Sequence, residues 1–116
     1  MHGINLRSFA GPSEPPSNVN ATAISSTTIQ VTWEHVPSIA ENGIITQYEI
    51  EFNQTTFNEV SMNNVTTVDS STFEVVLSGL EEYVNYSIRV RTYTSVGPGP
   101  YSDVIYETTL QDRKST

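Results

Sequence analysis

The side chains able to do acid–base or nucleophilic chemistry are few and poorly grouped. His35 stands between Glu34 and Val36 at the end of an apolar alternation, and His2 lies near the N-terminus. Neither falls in a recognisable order with a nucleophile. Glu81 and Glu82 are adjacent, but adjacent carboxylates in a turn define no pocket, and a solvated turn is the plainer reading. The three aspartates, Asp69, Asp103 and Asp112, are far apart, so the clustered oxygen ligands of a calcium site are not expected. Two histidines and no cysteine make a zinc site equally unexpected. No catalytic residue, metal or cofactor is assigned.

Four asparagines fit the Asn-x-Ser/Thr acceptor pattern: Asn20, Asn53, Asn64 and Asn85. Nine asparagines with serine and threonine at a quarter of positions would give about two such matches by chance. The alternation described below puts Asn53 and Asn85 on outward-facing strand positions, where a glycan would clear the core. A second constellation is Glu49, Glu51, Arg89 and Arg91. If their two strands are neighbours, the acids and bases face each other as a solvated cross-strand ladder, worth about 0.2–1 kcal/mol per pair. The alternative use is a charged docking face. Tyr93 and Tyr101 flank the uncharged stretch Val96-Gly97-Pro98-Gly99-Pro100. They are candidate interface residues, because exposed tyrosine is favoured in protein contacts; covering strand ends is the plainer role.

The elements that position these groups follow from the two-residue rhythm of the chain. Ile29, Val31 and Trp33 alternate with Thr28, Gln30, Thr32 and Glu34; Tyr48, Ile50 and Phe52 alternate with Gln47, Glu49, Glu51 and Asn53. That period is a strand with one buried and one wet face. Phe73, Val75 and Leu77 give a further alternation closed by Ser78-Gly79, and Tyr86, Ile88, Val90 and Thr92 another. Val104 to Thr109 supplies the last strand, and Asn18 to Ile24 an edge strand near prolines 12, 15 and 16. Asn42-Gly43 marks a turn. The stretch 54–70, with Phe57, Val60, Val65 and Val68 among polar residues, reads as one or two short strands. No segment repeats its leucines at helical spacing, and there is a single lysine. Short strands separated by turns make this an all-β sandwich or small barrel. Residues 1–12 show no periodicity and are expected to be a flexible leader or expression remnant, with 111–116 as a tail or linker.

Charge narrows the function classes. The chain of 116 residues carries a formal net charge of −8 with five basic side chains, too few to neutralise a nucleic-acid backbone. An anionic membrane or heparin-like surface is disfavoured for the same reason. No apolar run approaches membrane-spanning length, and nothing reads as a signal peptide.

Residues 13–110 resemble the fibronectin type III family. The resemblance rests on Pro15-Pro16…Val19, the Trp33 strand, and Asn42-Gly43…Ile45-Thr46-Gln47-Tyr48. Its most specific stretch is Leu80-x5-Tyr86-x-Ile88-x-Val90…Gly97-x-Gly99-x2-Ser102. Tyr86 stands six residues after Leu80, the tyrosine-corner spacing, in which a buried phenol bonds nearby backbone. Glu82 and Val84 depart from the proline and threonine that members often carry there. The resemblance implies a seven-stranded antiparallel two-sheet sandwich, immunoglobulin-like but without the Cys…Trp…Cys framework. The core would be Ile29, Val31, Trp33, Tyr48, Ile50, Phe52, Leu77, Leu80, Tyr86, Ile88 and Val90. Some members carry an Arg-Gly-Asp motif in the loop that here runs from Ser95 to Tyr101; this one reads Val96-Gly97-Pro98-Gly99-Pro100, so integrin binding is not implied.

Similar modules occur in the ectodomains of receptor-type tyrosine phosphatases and neural adhesion molecules. The expected role is a non-catalytic extracellular spacer in a single-pass cell-surface glycoprotein. Its partners would be neighbouring domains of the same chain and, as a candidate, a protein ligand or co-receptor, with no nucleic acid and no direct membrane contact. The parent could still carry a separate catalytic domain such as a tyrosine phosphatase. The rival expectations are an accessory module of a secreted enzyme or intracellular scaffold, and a free soluble binder.

Overall fold

The computed structural model describes residues 14–35, 45–55 and 64–111. The expected leader, the Asn42-Gly43 turn, Phe57, Val60 and the tail beyond Gln111 lie outside the described residues. Seven strands follow in order: β1 (Ser17–Ala23), β2 (Ile29–Glu34), β3 (Ile45–Gln54), β4 (Asn64–Asp69), β5 (Glu74–Leu77), β6 (Asn85–Thr94) and β7 (Ile105–Thr108). They form two antiparallel sheets, one ordered β1-β2-β5 and the other β4-β3-β6-β7.

The alternation in the sequence explains how the sheets close on each other. Ile29, Val31 and Trp33 of β2 and Leu77 of β5 are buried from one sheet. Tyr48 and Ile50 of β3 and Tyr86, Ile88 and Val90 of β6 are buried from the other, with Leu80 between β5 and β6. Trp33 and Tyr48 meet across the interior with ring centroids 5.4 Å apart, tilted by 54°. Each large side chain removed from water contributes about 1.5–3 kcal/mol, and this cluster is what makes two separate sheets one body.

The margins of the core differ from the sequence reading. Phe52 is half-buried and packs against the cluster from its edge rather than within it. Phe73 is 37% exposed and precedes β5 instead of opening it. There it lies 5.7 Å from the Tyr48 ring and 5.9 Å from the His35 ring, capping one end of the sandwich. Val104 likewise stands outside β7 and is exposed. At both places the alternation runs beyond the end of the strand, a boundary that side-chain period cannot mark, although the Phe73 carbonyl still accepts the Trp33 N–H at 3.1 Å.

Pairing registers fix the two poles of the molecule. Ser17, at the start of β1, pairs with Glu34, whereas Ala23 at its end pairs with Ile29. At that far end the Leu110 N–H donates to the Ser25 carbonyl at 3.2 Å. The chain therefore enters at one end of the long axis and leaves at the other.

Candidate functional site

The outer face of the four-stranded sheet gathers most of the polar side chains singled out in the sequence. β3 and β6 pair so that Glu49 faces Arg91, Glu51 faces Arg89 and Asn53 faces Ser87. Arg89 Nε donates to Glu51 Oε1 and Arg91 Nε to Glu49 Oε1, both at 2.5 Å. Tyr101 lies over this ladder, its ring centroid 3.9 Å from the Arg89 guanidinium carbon and 4.4 Å from that of Arg91. Arg91 also approaches the Tyr93 ring at 5.2 Å, and its Nη2 donates to the Tyr93 hydroxyl at 3.2 Å.

The result is a layered stack of acid, guanidinium and aromatic roof. It corrects the expectation of a solvated ladder: Glu51 is only 7% exposed. Two opposed charges drawn partly out of water hold each other more firmly than a surface pair, and removal of one partner costs more. Burial alone would lower the Arg91 guanidinium, but the Glu49 hydrogen bond and charge outweigh it and raise the group above its usual value. Burial and then the Glu49 carboxylate push the Tyr101 phenol upward, against the pull of Arg91. With each guanidinium both paired and stacked, the face offers little unspent charge to an incoming ligand.

The four asparagines separate into two kinds. Asn20 on β1 and Asn64 on β4 are exposed. Asn85 is half-buried, its Nδ2 donating to Thr108 Oγ1 at 2.8 Å while its Oδ1 accepts from Thr55 Oγ1 at 3.2 Å. Asn53 is half-buried too, with Oδ1 accepting the Asn64 N–H at 3.1 Å. The sequence reading favoured Asn53 and Asn85 as outward-facing; they do face outward, but their amides are built into the contacts between strands.

Tyr86 is buried, and its hydroxyl accepts the Glu81 N–H at 2.9 Å. Thr109, read from the sequence only as the end of the last strand, follows β7, is 1% exposed and clasps the same turn. Its hydroxyl donates to the Glu81 carbonyl at 2.7 Å and accepts the Val84 N–H at 2.9 Å. Ser102 acts similarly on β6, accepting the Val90 N–H at 3.0 Å. Glu107 accepts the Ala23 N–H at 2.8 Å and so ties β7 to the edge of the opposite sheet. Ser102 was part of the stretch that carries the family resemblance, but the bonds of Thr109 and Glu107 carry no sequence signal, because each depends on a partner brought close only by the fold.

Among the described residues no group of three or more His, Asp or Glu side chains could hold a metal ion. His35 sits beside Phe73 and Glu81-Glu82 are exposed, so the acid–base candidates stay apart.

A family model described as "Fibronectin type III domain" matches residues 14–108. The chain is 41% identical over 111 residues to Protein sidekick-1 of Gallus gallus, covering 95% of this chain and 5% of that protein. It is 32% identical over 112 residues to Receptor-type tyrosine-protein phosphatase F of Danio rerio, covering 96% of this chain and 6% of that one. Among solved structures, the fn3 domain of human contactin 1 superposes with a TM-score of 0.77 at 32% identity, over 89% of this chain and 82% of that one. The chain thus spans about a twentieth of the length of the curated relatives it matches.

Proposed function

Because the chain belongs to the fibronectin type III family, a family of non-catalytic modules, we propose that it is one repeat in the extracellular part of a longer cell-surface receptor or adhesion protein. There it spaces its neighbours and presents a side for contact with other proteins. The observation that carries this reading is the placement of the chain's points of arrival and departure at opposite poles. A domain so built adds its full length to a string instead of folding the string back. The covered Glu–Arg–Tyr stack supports a stiffening role for the four-stranded sheet. The extracellular setting is supported by likeness to a receptor-type phosphatase and to Protein sidekick-1.

Glycan mapping tests the setting. In a eukaryotic secretory host, Asn20 and Asn64 acquire N-linked glycans, because their side chains are exposed. Asn85 stays bare, since its amide is half-buried between Thr108 and Thr55 and has little room for a sugar. Glycopeptide mass spectrometry of the parent protein after enzymatic deglycosylation in 18O-labelled water reads each site separately. Occupancy at none of the four would favour the intracellular scaffold instead.

A further inference from the structure

We propose that Tyr83, Ile24 and Leu110 form a docking patch for the module that follows this one in the parent chain. The inference rests on the spacer reading and names the surface through which the next repeat is held. Tyr83 adopts φ of +56°, the left-handed region that a bulky side chain enters only at a cost, and that glycine or asparagine enters easily. Despite that cost Tyr83 is 66% exposed, so its side chain gains little from packing within the domain. Its backbone is held by an N–H donated to the Leu110 carbonyl at 3.2 Å, and Leu110 is held in turn by the Ser25 carbonyl beside Ile24. Leu110 is 48% exposed and Ile24 50%. Three backbone-linked apolar residues thus stand in water at a single pole.

The occupant follows from where the chain goes. It leaves the sandwich at Leu110, inside the patch. A connection of about six residues from there reaches at most about 20 Å. A module attached there is held beside the patch at an effective concentration in the millimolar range, so a small apolar contact suffices to fix its orientation. A free partner meeting the same patch would lack that advantage.

The test compares this domain alone with the same domain joined to its natural successor, using Tyr83→Gly and Leu110→Ser. Tyr83→Gly relieves the backbone and is expected to raise the Tm of the isolated domain by about 4–8 °C. Leu110→Ser should move it by no more than about 2–4 °C. In the pair, 15N relaxation should show both modules tumbling as one body, and either substitution should release them to tumble independently. Independent tumbling of two folded modules in the unaltered pair would overturn the patch and leave the spacer reading standing. So would variants that leave joint tumbling untouched while Tyr83→Gly stabilises pair and single domain alike. If no folded module follows Gln111 in the parent, both readings fall.

Discussion

Tyr86 shows how much a single atom can organise. Its ring belongs to the core and its hydroxyl accepts the Glu81 N–H at 2.9 Å, while Thr109 clasps the carbonyl of the same residue. The crossover from β5 to β6 is therefore pinned at donor and acceptor alike. Tyr86→Phe keeps the ring and removes the acceptor. It should destabilise the domain by about 1–3 kcal/mol, the cost of one lost buried hydrogen bond, as read from urea unfolding. An unchanged midpoint would mean that Thr109 and the backbone hold the turn by themselves. The ring and its spacing from Leu80 were readable in the sequence; Thr109 was not, because a threonine near a strand end looks the same whether it faces water or a carbonyl.

At the scale of elements, the paired strands β3 and β6 are covered by a residue that belongs to neither. Tyr101 reaches back from the connection before β7 to lie on Arg89 and Arg91. Alternation in the sequence could put Glu49, Glu51, Arg89 and Arg91 on outward faces, and strands taken as neighbours would set acids against bases; the pairing of Glu49 with Arg91 and of Glu51 with Arg89 is fixed by the register. It could not show the cover, which turns a solvated ladder into a half-buried one. The cover has a consequence with pH. The Tyr101 phenol is raised in the fold, so the neutral form is the favoured one. Stability from this shift is fully present below the ordinary tyrosine value of about 10 and is lost as pH rises through the folded value. Thermal melts should thus fall more steeply above about pH 10 for the native chain than for Tyr101→Phe. Parallel curves would place the phenol in water.

For the whole molecule, an all-β fold and most of its core were legible because burial and a two-residue period are one signal in a strand whose faces differ; the count of seven strands in two sheets came with the resemblance to the fibronectin type III family. Where the two decouple, the reading slipped. Phe73 continues the period yet caps the sandwich from outside β5, and Phe52 sits at the rim. The asparagines show the same limit: outward direction was deducible, but the engagement of Asn53 and Asn85 by residues remote in sequence was not.

The central claim, that the domain lengthens a chain by entering and leaving at opposite poles, is open to direct measurement. The protein has no cysteine, so spin labels can be placed on cysteines substituted at exposed Glu14 and Gln111 without side reactions. Glu14 lies nine positions before Ala23 at the far pole. At the rise of an extended strand, the two backbone sites should lie about 30 Å apart. Pulsed electron resonance is expected to give one narrow distribution near that value; a distribution centred below about 20 Å would bring the termini together and contradict the spacer.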